Sequence, residues 1–189
     1  MKTFICAALL AVSAAPAFAV DARTAMEAFL QSGIQPWASD PALIAAIEAQ
    51  NVQTAGYDAA RIEALDSAWQ AEIGASATPT IAAVVESDLA AVLRGHVDAA
   101  QGAITEIFVM DAQGLNVAAS AITSDYWQGD EAKFTETYGQ GAGAVHYGEV
   151  EFDESSQSYQ AQISLTLSDP ETGAPIGAMT VGVNADLLM

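Results

Sequence analysis

Residues 104–120 read ITEIFVMDAQGLNVAAS, and the fold turns on them. Ile104–Met110 is rich in β-branched and aromatic side chains, Asp111-Ala112-Gln113-Gly114 supplies a tight turn, and Leu115–Ser120 returns as a second strand. The stretch therefore predicts a hairpin. Ile107, Phe108 and Val109 are consecutive apolar residues where a strand with one wet face would alternate. This strand is expected in the middle of a sheet that is covered on both sides.

Outward from the hairpin, three more strands are predicted, at about 144–152, 159–167 and 176–183, separated by Asp153-Glu154-Ser155-Ser156 and by Asp169-Pro170-Glu171-Thr172-Gly173. All neighbours can pair antiparallel. Tyr159, Ala161, Ile163, Leu165 and Leu167 alternate with Gln160, Gln162, Ser164, Thr166 and Ser168, which predicts one apolar and one polar face. The apolar face needs helices, and the first half of the chain offers them. Asp40-Pro41 pairs an N-cap with a first-turn proline and starts a helix over about 40–53, with Leu43, Ile44 and Ile47 on its apolar side. Asp58 caps a second helix in which Ile62, Leu65, Trp69 and Ile73 recur at three- and four-residue spacing, predicting one buried stripe with Trp69 in the core. Thr78-Pro79-Thr80 opens a third, carrying Ile81, Val84, Val85, Leu89, Val92 and Leu93 and ending near Gly95. The expected fold class is α+β: one domain, with a helical part at 20–103 packed on a five-stranded antiparallel sheet at 104–189.

The chain of 189 residues holds 24 acidic against 5 basic side chains, a formal net charge of −19. Such a balance makes nucleic acid and anionic membrane poor partners. Lys2, the apolar run Phe4–Ala15 and the small-x-small site Ala17-Phe18-Ala19 read as a secretory signal over residues 1–19, with maturation at Val20 and a periplasmic destination. Cys6, the single cysteine, lies inside that signal, so no disulfide or cysteine-ligated metal is expected afterwards. Beyond residue 19 no run reaches the ~18 apolar residues of a membrane span.

Between hairpin and later strands lies TSDYWQGDEAKF, residues 123–134: two adjacent large rings, Tyr126 and Trp127, three carboxylates and a lysine, closed by Phe134. A short helix is expected from Asp130, with Phe134 and Tyr138 on one face and a stop at Gly139. Asp125, Asp130 and Glu131 lack the spacing of a calcium loop, and His96 and His146 lack zinc spacing or a triad context. Gly139, Gly141 and Gly143 come without the Lys-Ser/Thr of a phosphate cradle. No nucleophile stands in a recognisable elbow. No metal, cofactor or catalytic role is expected, and the chain reads as a binding protein rather than an enzyme.

FVMDAQGLNVAAS (108–120), TSDYWQGDEAKF (123–134) and PIGAMTVGVN (175–184), preceded by ALIAAIEAQN (42–51) and IEALDSAW (62–69), resemble the Cache (PDC) family of PAS-like extracytoplasmic sensor domains over roughly residues 35–187. The resemblance implies a PAS-like sheet and a small-molecule-binding sensory module. It places the ligand between the sheet and the loop-helix after the first hairpin, near Ser124, Asp125, Tyr126, Trp127, Asp130 and Lys133. Strand alternation adds Tyr147, on the same side as Glu149 and Glu151. Amino-acid-binding relatives present an Arg followed by Trp-Tyr on this helix, whereas this chain has Glu131-Ala132-Lys133-Phe134. With neither a span nor an output domain, it is expected to be a stand-alone sensor. Two readings stand for several residues. Asp125 and Asp130 either contact ligand or cap the loop and helix. Of Tyr126 and Trp127, one closes the core and one faces the pocket. Lys133 either neutralises a ligand anion or pairs with Asp130 or Glu136. A pocket of this composition favours a cationic or neutral polar molecule. The alternative function is docking on a membrane-bound sensor or transporter.

Overall fold

The computed structural model describes residues 15–153 and 158–188. The leader expectation falls mainly on residues 1–14, outside the described residues. Helix α1 runs Ala15–Phe29 and continues into a wider π-helical turn at Leu30–Ile34, most of it within the helical part expected at 20–103, where no individual helix is predicted before Asp40. Helix α2 (Pro41–Thr54) starts where Asp40 and Pro41 place it, with the Asp40 carboxylate accepting from the Ala42 N–H at 2.7 Å. Helix α3 (Ala59–Glu72) is capped by Asp58, which accepts from the Arg61 N–H at 2.8 Å. The third expected helix is two, α4 (Pro79–Val85) and α5 (Asp88–Ala99), because Ser87 stops the first and caps the second through the Ala90 N–H at 3.1 Å. Helix α5 runs past Gly95, and its Val92 is exposed.

The hairpin is strand β1 (Ile104–Met110) and strand β2 (Asn116–Ala119). A single turn of helix, α6 (Ala132–Thr135), starts later than expected and gives way to a 3-10 turn at Tyr138–Gln140. The strand expected over 144–152 is interrupted at 148–150 into β3 (Val145–Tyr147) and β4 (Glu151–Asp153), both paired with β5 (Ser158–Ser168). Strand β6 (Pro175–Asn184) and a last turn of helix, α7 (Ala185–Leu188), complete the chain. The sheet is antiparallel with order β2-β1-β6-β5-β3, and β4 makes it six-stranded rather than five. β1 is flanked by β2 and β6, the interior position that its unbroken apolar run requires.

Register sorts the sheet into two faces. On the first, the rows Ile107–Val181–Ile163 and Val109–Met179–Leu165 pack against Met26, Leu30, Leu43, Ile47 and Leu93 from α1, the π-helical turn that follows it, α2 and α5. Trp37 and His96 stack at 4.2 Å at the margin of this core. On the second face, the rows Phe108–Thr180–Ser164 and Met110–Ala178–Thr166 lie under Trp69, Ile81, Val84 and Phe134, with Tyr126 and Tyr138 packed alongside. The polar face expected of β5 is thus not solvated here: Ser164 and Thr180 are buried and satisfy each other through a 2.9 Å hydroxyl–hydroxyl hydrogen bond. The stripe on α3 is only partly buried. Trp69, in the last turn of α3, is fully enclosed, Ile62 and Leu65 are half-buried and Ile73 is exposed. Among the described residues no helix is long and apolar enough to cross a membrane.

Candidate functional site

The loop that follows β2 is fixed from two sides. Asp66, Trp69 and Gln70 recur at three- and four-residue spacing, so α3 presents them on one stripe. The Asp66 carboxylate accepts from the backbone N–H groups of Tyr126 at 2.8 Å and Trp127 at 3.0 Å. The Trp69 indole donates to the Thr123 carbonyl at 2.9 Å, and the Gln70 amide donates to the Ser124 carbonyl and to the Asp125 carboxylate, each at 2.6 Å. From the hairpin, the Asn116 amide donates to Thr123 Oγ1 at 2.9 Å and to the Asp125 carbonyl at 3.0 Å. The Trp127 indole reaches the Gln113 carbonyl at 2.8 Å. A Cβ on Gly129 would run into the Trp127 ring, so only glycine lets the chain turn this close beneath it.

This bracing leaves a cleft of about 610 Å³ between α3 and the loop, lined by Ala59, Ile62, Glu63 and Asp66 on one side and by Asp125, Trp127, Asp130 and Glu131 on the other. Its volume is in the range of small-ligand sites. Ile62 and the Trp127 ring give it apolar surface and the carboxylates give it charge, while no basic residue lines it. Asp66 is committed to two backbone donors and Asp125 to Gln70, so both are held in place. The cleft can accept N–H donors at fixed oxygens while offering an aromatic face.

Of the seven residues expected at a ligand site, Asp125, Trp127 and Asp130 line this cleft, and Ser124 adjoins it with its carbonyl held by Gln70. Tyr126 turns the other way and stacks on Trp69, ring centroids 5.5 Å apart. Burial, with the Asp111 and Tyr57 charges adding and Arg61 opposing, pushes its hydroxyl up to about 12. Lys133 is not among the residues that line the cleft. Its ammonium lies 3.0 Å from Glu131 Oε2, donates to Gln128 Oε1 at 3.2 Å and sits 5.2 Å over the Phe108 ring. Its ion pair is with Glu131, rather than with Asp130 or Glu136. Neither aspartate caps α6, whose N-cap is Glu131 with no side-chain bond, because the helix starts at 132. Tyr147 is not brought together with the others. It pairs with Ile163 on the helix-covered face, where the Arg23 guanidinium lies 4.0 Å over its ring; burial and Glu27 raise its pKa against the pull of Arg23.

Sequence reasoning missed the α3 wall, Ile62, Glu63 and Asp66. One signal was present: Asp66 lies three residues before the fully buried Trp69, and an acid beside a buried stripe is costly unless donors meet it. Here the loop supplies them.

No protein-family model matches the sequence, and no curated protein sequence matches it. Solved structures do, at low identity. The sensor domain of the V. cholerae histidine kinase DctB is 13% identical with a TM-score of 0.46, over 90% of this chain and 55% of that one. The ligand-binding domain of the Campylobacter jejuni chemoreceptor Tlp3, in complex with 4-methylisoleucine, is 12% identical with a TM-score of 0.42, over 82% and 65%. The ligand-binding domain of the Pseudomonas aeruginosa amino acid chemoreceptor PctC, in complex with GABA, is 12% identical with a TM-score of 0.40, over 89% and 58%. These are the sensor domain of a histidine kinase and the ligand-binding domains of two chemoreceptors. The chain spans less than two thirds of the length of each of these three structures.

Proposed function

We propose that this chain is an exported, non-enzymatic sensor module that binds a small cationic or neutral polar molecule in the cleft between α3 and the loop at 123–131. The observation that carries the reading is the make-up of that cleft: Trp127 and Ile62 for the body of a ligand, and Asp125, Asp130 and Glu63 for its donors, with no basic residue among the lining side chains. Clustered carboxylates disfavour an anion, while a ring face attracts a cation by ~0.5–2 kcal/mol. Lys133, the residue that would have favoured an anion, is occupied by Glu131 and Gln128. The leader at 1–19 supports export to the periplasm, where the molecule would be sampled.

A thermal-shift screen of metabolites tests the reading. An amine present at 100-fold its dissociation constant is expected to stabilise the fold by ~2.7 kcal/mol, and Asp125→Asn is expected to weaken its binding. Tight binding of succinate or citrate, unchanged or improved in Asp125→Asn, would overturn the preference for cations. A broad screen without any shift would overturn the sensor reading itself.

A further inference from the structure

The sheet face that carries Phe108, Thr180 and Ser164 is not sealed to its end. One row further along the same strands, Glu106, Gly182 and Gln162 stand side by side, and a separate hollow of about 460 Å³ opens over them. Its lining includes Gly148, Glu149, Glu151 and Phe152 and has no residue in common with the cleft at α3. We infer that this hollow is a second ligand site, for a small organic cation that carries N–H donors, an ammonium or a guanidinium.

Three observations carry it. First, the volume suits a small molecule, and the hollow has a constructed floor: Glu106 is half-buried, and its Oε1 accepts from the Gln162 amide at 3.1 Å. Second, the floor depends on Gly182. A Cβ there would stand 2.7 Å from Glu106 Cγ and 2.6 Å from Thr105 Oγ1, so glycine is what lets the stem of Glu106 lie against β6 beneath the hollow. Third, the lining selects by charge and type of donor. Glu106, Glu149 and Glu151 come without any basic residue, and Gln160, Gln162 and the Phe152 side chain complete the wall. An anion would be repelled. Carboxylates and amide carbonyls set beside an aromatic ring suit the N–H groups and carbon body of an organic cation. Among the described residues no three acidic or histidine side chains are arranged to hold a metal ion, which directs the site to organic cations.

Agmatine, which has a guanidinium at one end and an ammonium at the other, is a suitable probe. It is titrated calorimetrically at physiological salt into the wild type, Glu106→Gln, Glu151→Gln and Asp125→Asn, with calcium chloride alone as the inorganic control. Glu106→Gln keeps the shape of the side chain, and thermal melts of every variant check that the fold is retained. The expected result is saturable binding that Glu106→Gln weakens about tenfold or more, as loss of a charged hydrogen bond does, with an agmatine isotherm for this site unchanged in Asp125→Asn. Equal affinity in the wild type and both glutamate variants would overturn the inference, as would binding that never saturates. Saturable calcium binding without agmatine binding would overturn it too. Loss in Asp125→Asn with none in Glu106→Gln would move agmatine to the first cleft, ending this inference while leaving the proposed function standing.

Discussion

Two ends of one sheet face, built from the same three strands, have opposite fates. Along β1 the face reads Glu106, Phe108, Met110; along β6 it reads Gly182, Thr180, Ala178; along β5 it reads Gln162, Ser164, Thr166. From Phe108 onward these residues are buried beneath α3, α4 and the aromatic residues of the loop and α6. At Glu106 the cover ends and a hollow begins. The expected ligand position, between sheet and loop-helix, is therefore largely taken by the protein's own rings, and open space remains on either side of that plug. The alternation of β5 is the same throughout. What differs is whether a helix or loop lies overhead, a property of distant sequence that no strand pattern contains.

The largest test of this contrast is Trp69→Ala. Trp69 is fully buried, stacks on Tyr126 and donates to the Thr123 carbonyl. Its removal is expected to cost about 3–5 kcal/mol and to release the loop, whereas Glu106→Gln at the open end is expected to stay within about 0.5 kcal/mol. Urea denaturation of the two variants measures both. Equal losses would mean that the two ends are not different in kind.

Alkaline pH probes the sealed end from within. Burial holds the Tyr126 proton to about 12 in the folded chain, against roughly 10 in the unfolded one. Its contribution is fully present below the unfolded value and is lost as pH rises from about 10 towards about 12, because the unfolded chain gives up the proton first. The loss should reach up to roughly 3 kcal/mol for this residue. Absorbance titration of the wild type against Tyr126→Phe is expected to show one late-ionising phenol missing from the variant. Phenols that all ionise near 10 while the fold is intact would show that the plug is wet.

Gly129→Ala sharpens the boundary between plug and cleft. The added methyl would meet the Trp127 ring, so either the loop or the indole must move, at about 1–3 kcal/mol. The Trp127 indole would lose its bond to the Gln113 carbonyl, and tryptophan fluorescence should shift to the red together with the fall in stability. Unchanged fluorescence would indicate that the ring is not held where the cleft needs it.

The local syntax was legible. Asp40-Pro41, Asp58 and the 111–114 turn act through bonds between near neighbours in sequence, and such signals survive any tertiary arrangement. The hairpin and the succession of strands along the chain were legible in this way, but the pairing of β1 with β6, across the length of the sheet half, was not. What was not legible depends on distance. The pairing of Asp66 with Tyr126 and Trp127 spans about sixty residues of chain, so the α3 wall of the cleft was invisible from either end. Lys133 was read beside acids on its own helix, but that helix is one turn long, and the side chain folds inward over Phe108. Alternation sets Tyr147 and His146 on opposite faces but does not say which face a loop covers, and Tyr147 lies on the face of Ile163, away from the loop.

The smallest effect expected is in acid, at the roof of the sealed end. Helix α4 contributes Ile81 and Val84 to the aromatic cluster, yet its N-cap residue, Thr78, makes no side-chain cap bond. Glu72, from the end of α3, takes that role: one carboxylate oxygen accepts from the N–H groups of Thr80 at 2.8 Å and Ile81 at 2.9 Å, a charge well placed at the positive end of a helix. Desolvation opposes the charged form, but the hydrogen bonds from Ile81 and Thr80 outweigh it, and the pKa falls below its ordinary 4.5. A lowered folded value means that the unfolded chain binds the proton first as pH falls. The stabilisation is therefore complete above about 4.5 and is lost as pH drops through the folded value. Glu72→Gln should be slightly less stable than the wild type at neutral pH, and the difference should close in acid. Thermal midpoints of the two proteins measured across that window check it. Curves that stay parallel down to the acid limit would remove Glu72 as the tie between α3 and α4, leaving apolar packing alone to hold the roof over the sealed end.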